Sequence, residues 1–329
     1  MRASPIVVVL VGPTASGKTA LLDAIFGSRE SRAAYALPEA EVISADSMQA
    51  YKGMDIGTAK PDSALRARLP HALIDIRDID EQYTVGDFAR LADEACEEIF
   101  SRGKLPVVSG GSGFYVRNFI CGMPTAPTAD SGIRAEVASD LAQRGAAALR
   151  EELALLDPAS AARIHEHDLY RLTRALEIVR LTGRPMAEFA ASAEPRAGRS
   201  FLTIGIAPPP EELVARIGLR VDAMLAAGLA EEVATLRAAG HGAGAPGMRA
   251  IGYREFFEPE GLAGGLASGL ASGLALEAIA DKIKLDTKRY AKRQMTFLRK
   301  LPGIEWIASD PKELASRVSR IVHSGVSAL

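Results

Sequence analysis

The chain has 329 residues, 48% of them hydrophobic, enough for about two domains with at least one sizeable core. Lysine and arginine total 39 against 41 aspartates and glutamates, a formal charge of −2, so any binding to nucleic acid has to come from local patches rather than from bulk charge. The two cysteines, Cys96 and Cys121, fit no metal spacing and are too few for a disulfide framework, which favours a reducing, cytoplasmic compartment, and no apolar run is long enough to span a membrane. In chain order, the short runs "PIVVVLVG", "EVISAD", "HALIDIRD", "LPVVSGG", "FLTIGIAP" and "IEWIASD" read as strands separated by longer helical patterns. That alternation predicts an α/β fold with a mainly parallel sheet flanked by helices. The best crossover helix is "TVGDFARLADEACEEIFSRG", with Thr84 as N-cap, Asp87 three residues on, and Val85, Phe88, Leu91, Ala95 and Ile99 on one face. Strand signals vanish from about Pro124 to Arg199, which predicts an all-helical insertion over 124–199 in a core built from 1–123 and 200–329. Helices resume from Pro210 to about Ala239. The biased run "EGLAGGLASGLASGLALE" spaces leucines four apart, but each interior glycine costs a helix roughly 1 kcal/mol relative to alanine. A flexible or marginally helical spacer is expected there.

The first stretch that fixes a chemistry is "GPTASGKT", residues Gly12, Pro13, Thr14, Ala15, Ser16, Gly17, Lys18 and Thr19. It follows an apolar strand and opens a helix, the context a phosphate loop requires. Backbone N–H groups and the helix N-terminus converge on phosphate oxygens, Lys18 adds a point charge, and the Thr19 hydroxyl can hold Mg²⁺. The loop does not identify the reaction. An enzyme that hydrolyses a nucleoside triphosphate normally carries an acid at the end of a neighbouring strand. Asp46 after "EVIS" and Asp75 or Asp78 in "LIDIRD" are the candidates, and Asp46 sits best, at the ligand-binding edge of the sheet. It reads as a metal ligand, a general base or a loop-capping turn residue. From Asp281 to Leu301 eight basic and two acidic residues give a local charge of +6. On a helix, Ile283, Tyr290 and Phe297 share an apolar side while Lys284, Lys288, Arg289, Lys292 and Arg293 spread over the rest, a pattern suited to phosphate contacts. His165 and His167 lack a third ligand nearby and read as surface histidines.

Taken together and in order, "GPTASGKT", "ISADSMQAYKGMDIGTAKP", "PHALIDIRD", "VVSGGSGFYVRNFICGM", "RLTRALEI", "RAIGYREF" and "KRYAKRQMTFLRK" resemble the bacterial tRNA dimethylallyltransferase, or tRNA isopentenyltransferase, family. The resemblance implies a P-loop-type core and transfer of a dimethylallyl group from dimethylallyl diphosphate to N6 of the adenine just 3′ of the anticodon, in tRNAs reading codons that begin with U, with Mg²⁺ as cofactor; a monomer is expected, although the sequence itself does not fix the oligomeric state. It implies that Asp46 takes the amine proton, that Lys18, Thr19 and Ser112 belong to the catalytic centre, and that Arg220 lies near the diphosphate, where its bland reading is a solvated helix charge. Implied tRNA contacts are Asp46, Ser47, Met48, Gln49, Ser112 and Arg134; Tyr170, Arg171, Leu172, Thr173 and Arg174; Arg249, Ala250, Ile251, Gly252, Tyr253 and Arg254; and Thr287, Lys288, Arg289, Tyr290, Ala291, Lys292, Arg293 and Gln294. Three departures stand out. Gly110-Gly111-Ser112 replaces the usual Gly-Gly-Thr and keeps the hydroxyl. Phe297-Leu298 sits where a Trp is common, and the Gly-Leu-Ala repeat falls where relatives vary in length. A small-molecule kinase, an adenylate isopentenyltransferase acting on free nucleotide, and an RNA-binding scaffold are the alternatives. The basic segment speaks against the first two, and the intact Lys18, Thr19 and Asp46 against the third.

Overall fold

Ile6–Val11 forms β1, and its five valine and leucine positions after Ile6 are fully buried, as expected of a strand covered on both faces. The computed structural model describes residues 5–127, 130–190, 192–257 and 273–324. Five further strands complete the sheet: β2 (Ala40–Ser44), β3 (His71–Ala72), β4 (Leu105–Gly110), β5 (Ser200–Ile206) and β6 (Glu305–Ile307). Their order is β3-β2-β4-β1-β5-β6, parallel throughout. Because β4 lies between β2 and β1, the turns after all three strands emerge side by side at the carboxyl edge, where such sheets bind ligands.

Helices α1 (Lys18–Phe26), α2 (Arg29–Ala34), α3 (Ser63–Arg68), α4 (Val85–Ser101) and α5 (Gly113–Cys121) connect the first four strands or follow them. The expected crossover helix is α4, closed by a capping box in which Thr84 accepts the Asp87 N–H and Asp87 accepts the Thr84 N–H. Its buried stripe runs through Phe88, Ala92, Ala95, Cys96 and Ile99, with Val85 and Leu91 at its half-buried margin. The strand expected over "HALIDIRD" stops after two residues. Leu73 (φ 64) and Asp75 (φ 57) both take left-handed backbone, which ends pairing with β2. Asp75 is held there by ion pairs to Lys60 and Arg66, and Asp78 pairs with Lys52 at the surface.

Contacts divide the chain into a larger unit, residues 1–120 and 194–329, and a smaller one, Cys121–Ala193. The insertion is therefore shifted from the expected 124–199. Arg196 and Arg199 both ion-pair with Asp93 on α4, which ties that stretch to the larger unit. The smaller unit contains α6 (Ser131–Leu156), kinked at Gly145, α7 (Pro158–Arg163) and α8 (Leu169–Thr182), with no strand among its described residues. Its core is Val137, Leu149, Leu153, Ile164, Leu172 and Leu176.

In the larger unit the long helical run splits into α9 (Pro210–Ala226) and α10 (Leu229–Ala238) at Gly228, whose φ of 97° a side chain would resist. Among the described residues two more α-helices come after it, α11 (Gly273–Leu298) and α12 (Pro311–Ser324). The Gly-Leu-Ala repeat lies outside the described residues up to Ser272. One face of the sheet packs Val8, Leu10, Val107 and Ile204 against Leu22, Phe26, Leu314 and Val318.

Candidate active site

Gly17 caps α1 with φ 92°, so the chain turns from β1 into the helix with the first-turn amides of α1 left over. Lys18 folds back across the loop, its Nζ donating to the carbonyls of Gly12 (2.9 Å) and Pro13 (2.8 Å). Burial, then the nearby Arg220 guanidinium, push the Lys18 ammonium down to about 8, while the Asp46 carboxylate pulls the other way. Gly12, Pro13 and Ser16 are buried, and their part is to shape the loop. The Thr14 N–H is already taken, since it donates to Gln294 Oε1 at 2.9 Å.

The turn after β2 carries Asp46. Its Oδ1 accepts the Met48 N–H at 2.9 Å, a local turn that holds the carboxylate in place. The Ser47 N–H donates to Ser112 Oγ across from β4, and Gly110 lets the two turns touch: a Cβ there would fall 2.1 Å from the Ala45 carbonyl oxygen. Gln49 accepts from Ser44 Oγ at 2.8 Å and donates to the Thr58 and Ala59 carbonyls, which binds the long "DSMQAYKGMDIGTAKP" segment to the strand end. From α10, Glu232 receives the N–H groups of Asp55, Ile56 and Gly57 and the Tyr253 hydroxyl. The backbone bends around one carboxylate.

α9 and α11 close the remaining sides. A cavity of ≈ 370 Å³ results, lined from the phosphate loop by Thr14, Lys18 and Thr19, from the β2 turn by Asp46, Ser47, Met48 and Gln49, and from α9 by Arg220. Arg249–Gly252 and Arg254 contribute, as do Thr287, Tyr290, Arg293 and Gln294 on α11. Arg220 is thus a half-buried cavity residue coupled to Asp46, and the solvated-charge reading fails. Burial, with the Asp46 charge next, pushes the Tyr290 hydroxyl up to about 12, so it stays protonated, bonded to Ser112 and Gln294.

Not every expected residue reaches the cavity. Ser112 stands behind Ser47 and Tyr290 rather than on the surface of the cavity. Tyr253 and Ala291 are buried in the larger unit and Leu172 is in the core of the smaller one, so all three are packing residues whose side chains cannot meet a nucleic acid. Gln294 is buried too, with Nε2 donating to the Gly111 carbonyl at 3.0 Å: it clamps the phosphate loop to the β4 turn. Lys284 is spent on Asp222, and Arg254 on Asp286 and Glu255. Lys288, Arg289, Lys292 and Arg293 are exposed on α11. Arg134, Tyr170 and Arg171 are exposed on the smaller unit, and Arg174 is engaged with Glu177 and the Pro127 carbonyl.

The residues that sequence reasoning missed are the apolar ones. Ile217, Val221 and Met224 on α9, with Ile283 on α11, line the cavity as a hydrocarbon surface beside Lys18 and Arg220. Their i, i+4, i+7 spacing was visible in "RIGLRVDAML", as was Arg216 four residues before Arg220, which donates to the Ser16 carbonyl at 3.3 Å.

A family description for IPP transferase matches residues 49–301. The chain belongs to the IPP transferase family. Members of this family transfer prenyl groups, and this chain is a prenyltransferase with a P-loop-type core. It is 43% identical to the tRNA dimethylallyltransferase of Geobacter sulfurreducens over 91% of both chains. The crystal structure of the full-length tRNA isopentenylpyrophosphate transferase from Bacillus halodurans is similar at a TM-score of 0.66 and 33% identity, over 98% of this chain and 96% of that one. A eukaryotic dimethylallyltransferase captured acting on tRNA superposes at a TM-score of 0.74 with 26% identity, over 97% of this chain and 78% of that one. In this IPP transferase the sheet order accounts for the place of the cavity, because the turns after β1, β2 and β4 meet along one of its edges.

Proposed function

We propose that this IPP transferase moves the dimethylallyl group of dimethylallyl diphosphate to N6 of the adenine 3′-adjacent to the anticodon, in tRNAs reading codons that begin with U, and releases pyrophosphate. One observation carries the reading: the same cavity offers cations for a diphosphate, an apolar wall for a short hydrocarbon and a carboxylate for an amine proton. In the reaction N6 attacks the allylic carbon, the bond from that carbon to the diphosphate oxygen breaks, and Asp46 takes the N6 proton. Lys18, Arg220 and the first-turn amides of α1 meet the charge that builds up on the leaving diphosphate. The apolar side formed by Ile217, Val221, Met224 and Ile283 keeps water from the allylic carbon. An adenine amine is a weak nucleophile because its lone pair is delocalised, which gives the carboxylate its task.

Mg²⁺ fits the site as a diphosphate-borne ion. Among the described residues no group of three or more His, Cys, Asp or Glu could hold a metal, but Mg²⁺ takes few protein ligands and relies on phosphate oxygens. Thr19, on the cavity surface, would hold it through its hydroxyl, leaving Asp46 free to act as the base, and it would supply further neutralisation of the leaving group. No helix among the described residues is long and apolar enough to cross a membrane, and a tRNA substrate points to the cytoplasm. Arg134, Tyr170 and Arg171 on the smaller unit and Lys288, Arg289 and Lys292 on α11 are the proposed tRNA contacts.

Incubation of unmodified tRNA with dimethylallyl diphosphate and Mg²⁺, without ATP, is expected to yield prenylated adenosine by mass spectrometry of the nucleosides. Product from free AMP but not from tRNA would sink the reading. Reversing charge at Lys288 and Lys292 is expected to weaken tRNA binding and to lower the magnitude of the salt slope, by about 0.7 to 0.9 for each phosphate that is no longer neutralised. A filter-binding series in KCl checks this. The low value of Lys18 gives a pH signature with a definite sign. The unliganded protein carries the Lys18 charge below pH 8 and loses it above, so dimethylallyl diphosphate affinity is expected to fall by up to about tenfold per pH unit beyond 8. Calorimetric titration from pH 7 to 9.5 measures it, and Lys18→Arg should flatten the curve.

A further inference from the structure

A second, shallower groove of ≈ 440 Å³ lies on α11, lined by Arg289, Lys292, Arg293, Thr296, Phe297 and Lys300. Four of these six are cationic and none is acidic. Arg293 also lines the main cavity, so the two openings share that residue. Phe297 is flanked by a second ring. Phe114, at the start of α5, sits 6.4 Å from it at an interplanar angle of 84° and is 51% exposed. Gly113 permits this approach, since a Cβ there would come within 2.6 Å of the Phe297 ring. A large aromatic side chain half out in water beside clustered cations is not accounted for by packing. An edge-to-face pair leaves ring surface for a flat partner, and the cations complement phosphate.

We propose that this groove holds an unpaired nucleotide neighbouring the acceptor adenine, its base seated on the Phe114–Phe297 pair, stacked on one ring and edge-on to the other, and its phosphate among Arg289, Lys292 and Lys300. The inference rests on the tRNA reading above and deepens it. Single-stranded RNA is favoured over a duplex because paired bases hide their faces, and over an acidic peptide because the latter makes no use of a ring surface. The step from adenine to neighbour passes Arg293, which lines both openings.

The test uses the full chain and an anticodon stem-loop RNA, with binding read by fluorescence anisotropy across a KCl series. Phe114→Ala and Phe297→Leu are expected to weaken binding about tenfold with the salt slope unchanged, and to raise the KM for tRNA with kcat nearly constant. Phe297→Trp is expected to restore or tighten binding. Unchanged affinity in both loss variants, or a loss confined to Phe297→Leu, would overturn the proposal by assigning the rings to packing. An acidic peptide that competes for the groove while the RNA does not would overturn it as well. Wild-type turnover on tRNA in the same preparation tests the tRNA reading separately: no prenylated adenosine removes that reading, whereas product with an unmoved KM in both variants removes only this one.

Discussion

Asp46→Asn is expected to lower kcat by about 10²- to 10⁴-fold while leaving tRNA affinity within about twofold of wild type. Asparagine keeps an oxygen to accept the Met48 N–H, so the turn after β2 survives and only the proton-accepting charge is removed. The amide cannot take a proton from N6. Single-turnover kinetics with saturating substrates isolates the chemical step, and a filter-binding measurement tracks tRNA. A variant with normal turnover would strip Asp46 of its role as base. The neighbouring charges predict a second effect of the same change: Asp46 counters the burial of Lys18, so its removal is expected to lower Lys18 further and to bring the pH-dependent loss of diphosphate affinity below 8.

Lys18→Ala is expected to cost about 10²- to 10³-fold in kcat/KM, the scale seen when one preorganised donor to a developing anion is removed. Two consequences separate this from simple unfolding. The Lys18 ammonium bonds the Gly12 and Pro13 carbonyls in the unliganded loop, and because Lys18 lines the cavity, water can take the place of the lost ammonium, so the melting temperature should change little. Pyrophosphate inhibition should weaken in parallel with turnover, because leaving group and product share the same contacts. Arg220 remains in the variant and accounts for residual activity.

The fold was legible where the hydrophobic pattern was continuous. β1, β2, β4 and β5 stand where β-branched runs stood, and α4 announced both its ends through Thr84 and its C-terminal Gly103. β3 was not, because "HALIDIRD" has the composition of a strand while two left-handed residues, one of them held by Lys60 and by Arg66 on α3, take it out of the sheet. Propensity lost to tertiary ion pairs. At the site, the polar residues could be found from motif spacing, since phosphate loops and charged turns carry local signatures. The apolar wall on α9 could not be separated from ordinary core by its periodicity alone. Glu232 and Gln294 were invisible as scaffolding for another reason: their partners are backbone groups about 175 and 280 positions away in the chain, and no local pattern encodes such pairings. The basic segment was over-counted for the same reason, with Lys284 taken by Asp222 across the interface of α9 and α11.

Gln294 couples two tolerances that would otherwise be independent. One helix turn advances by 3.6 residues, so each inserted residue rotates one part of a helix against the other by about 100°. With Gln294 fixed to Thr14 and Gly111, an insertion in α11 between Arg289 and Gln294 would rotate Lys288 and Arg289 about the helix axis relative to the phosphate loop, whereas an equal insertion past Leu298 would leave their direction unchanged. The cationic face is thereby indexed to the phosphate loop, and the permitted lengths of the chain on either side of that one amide differ accordingly.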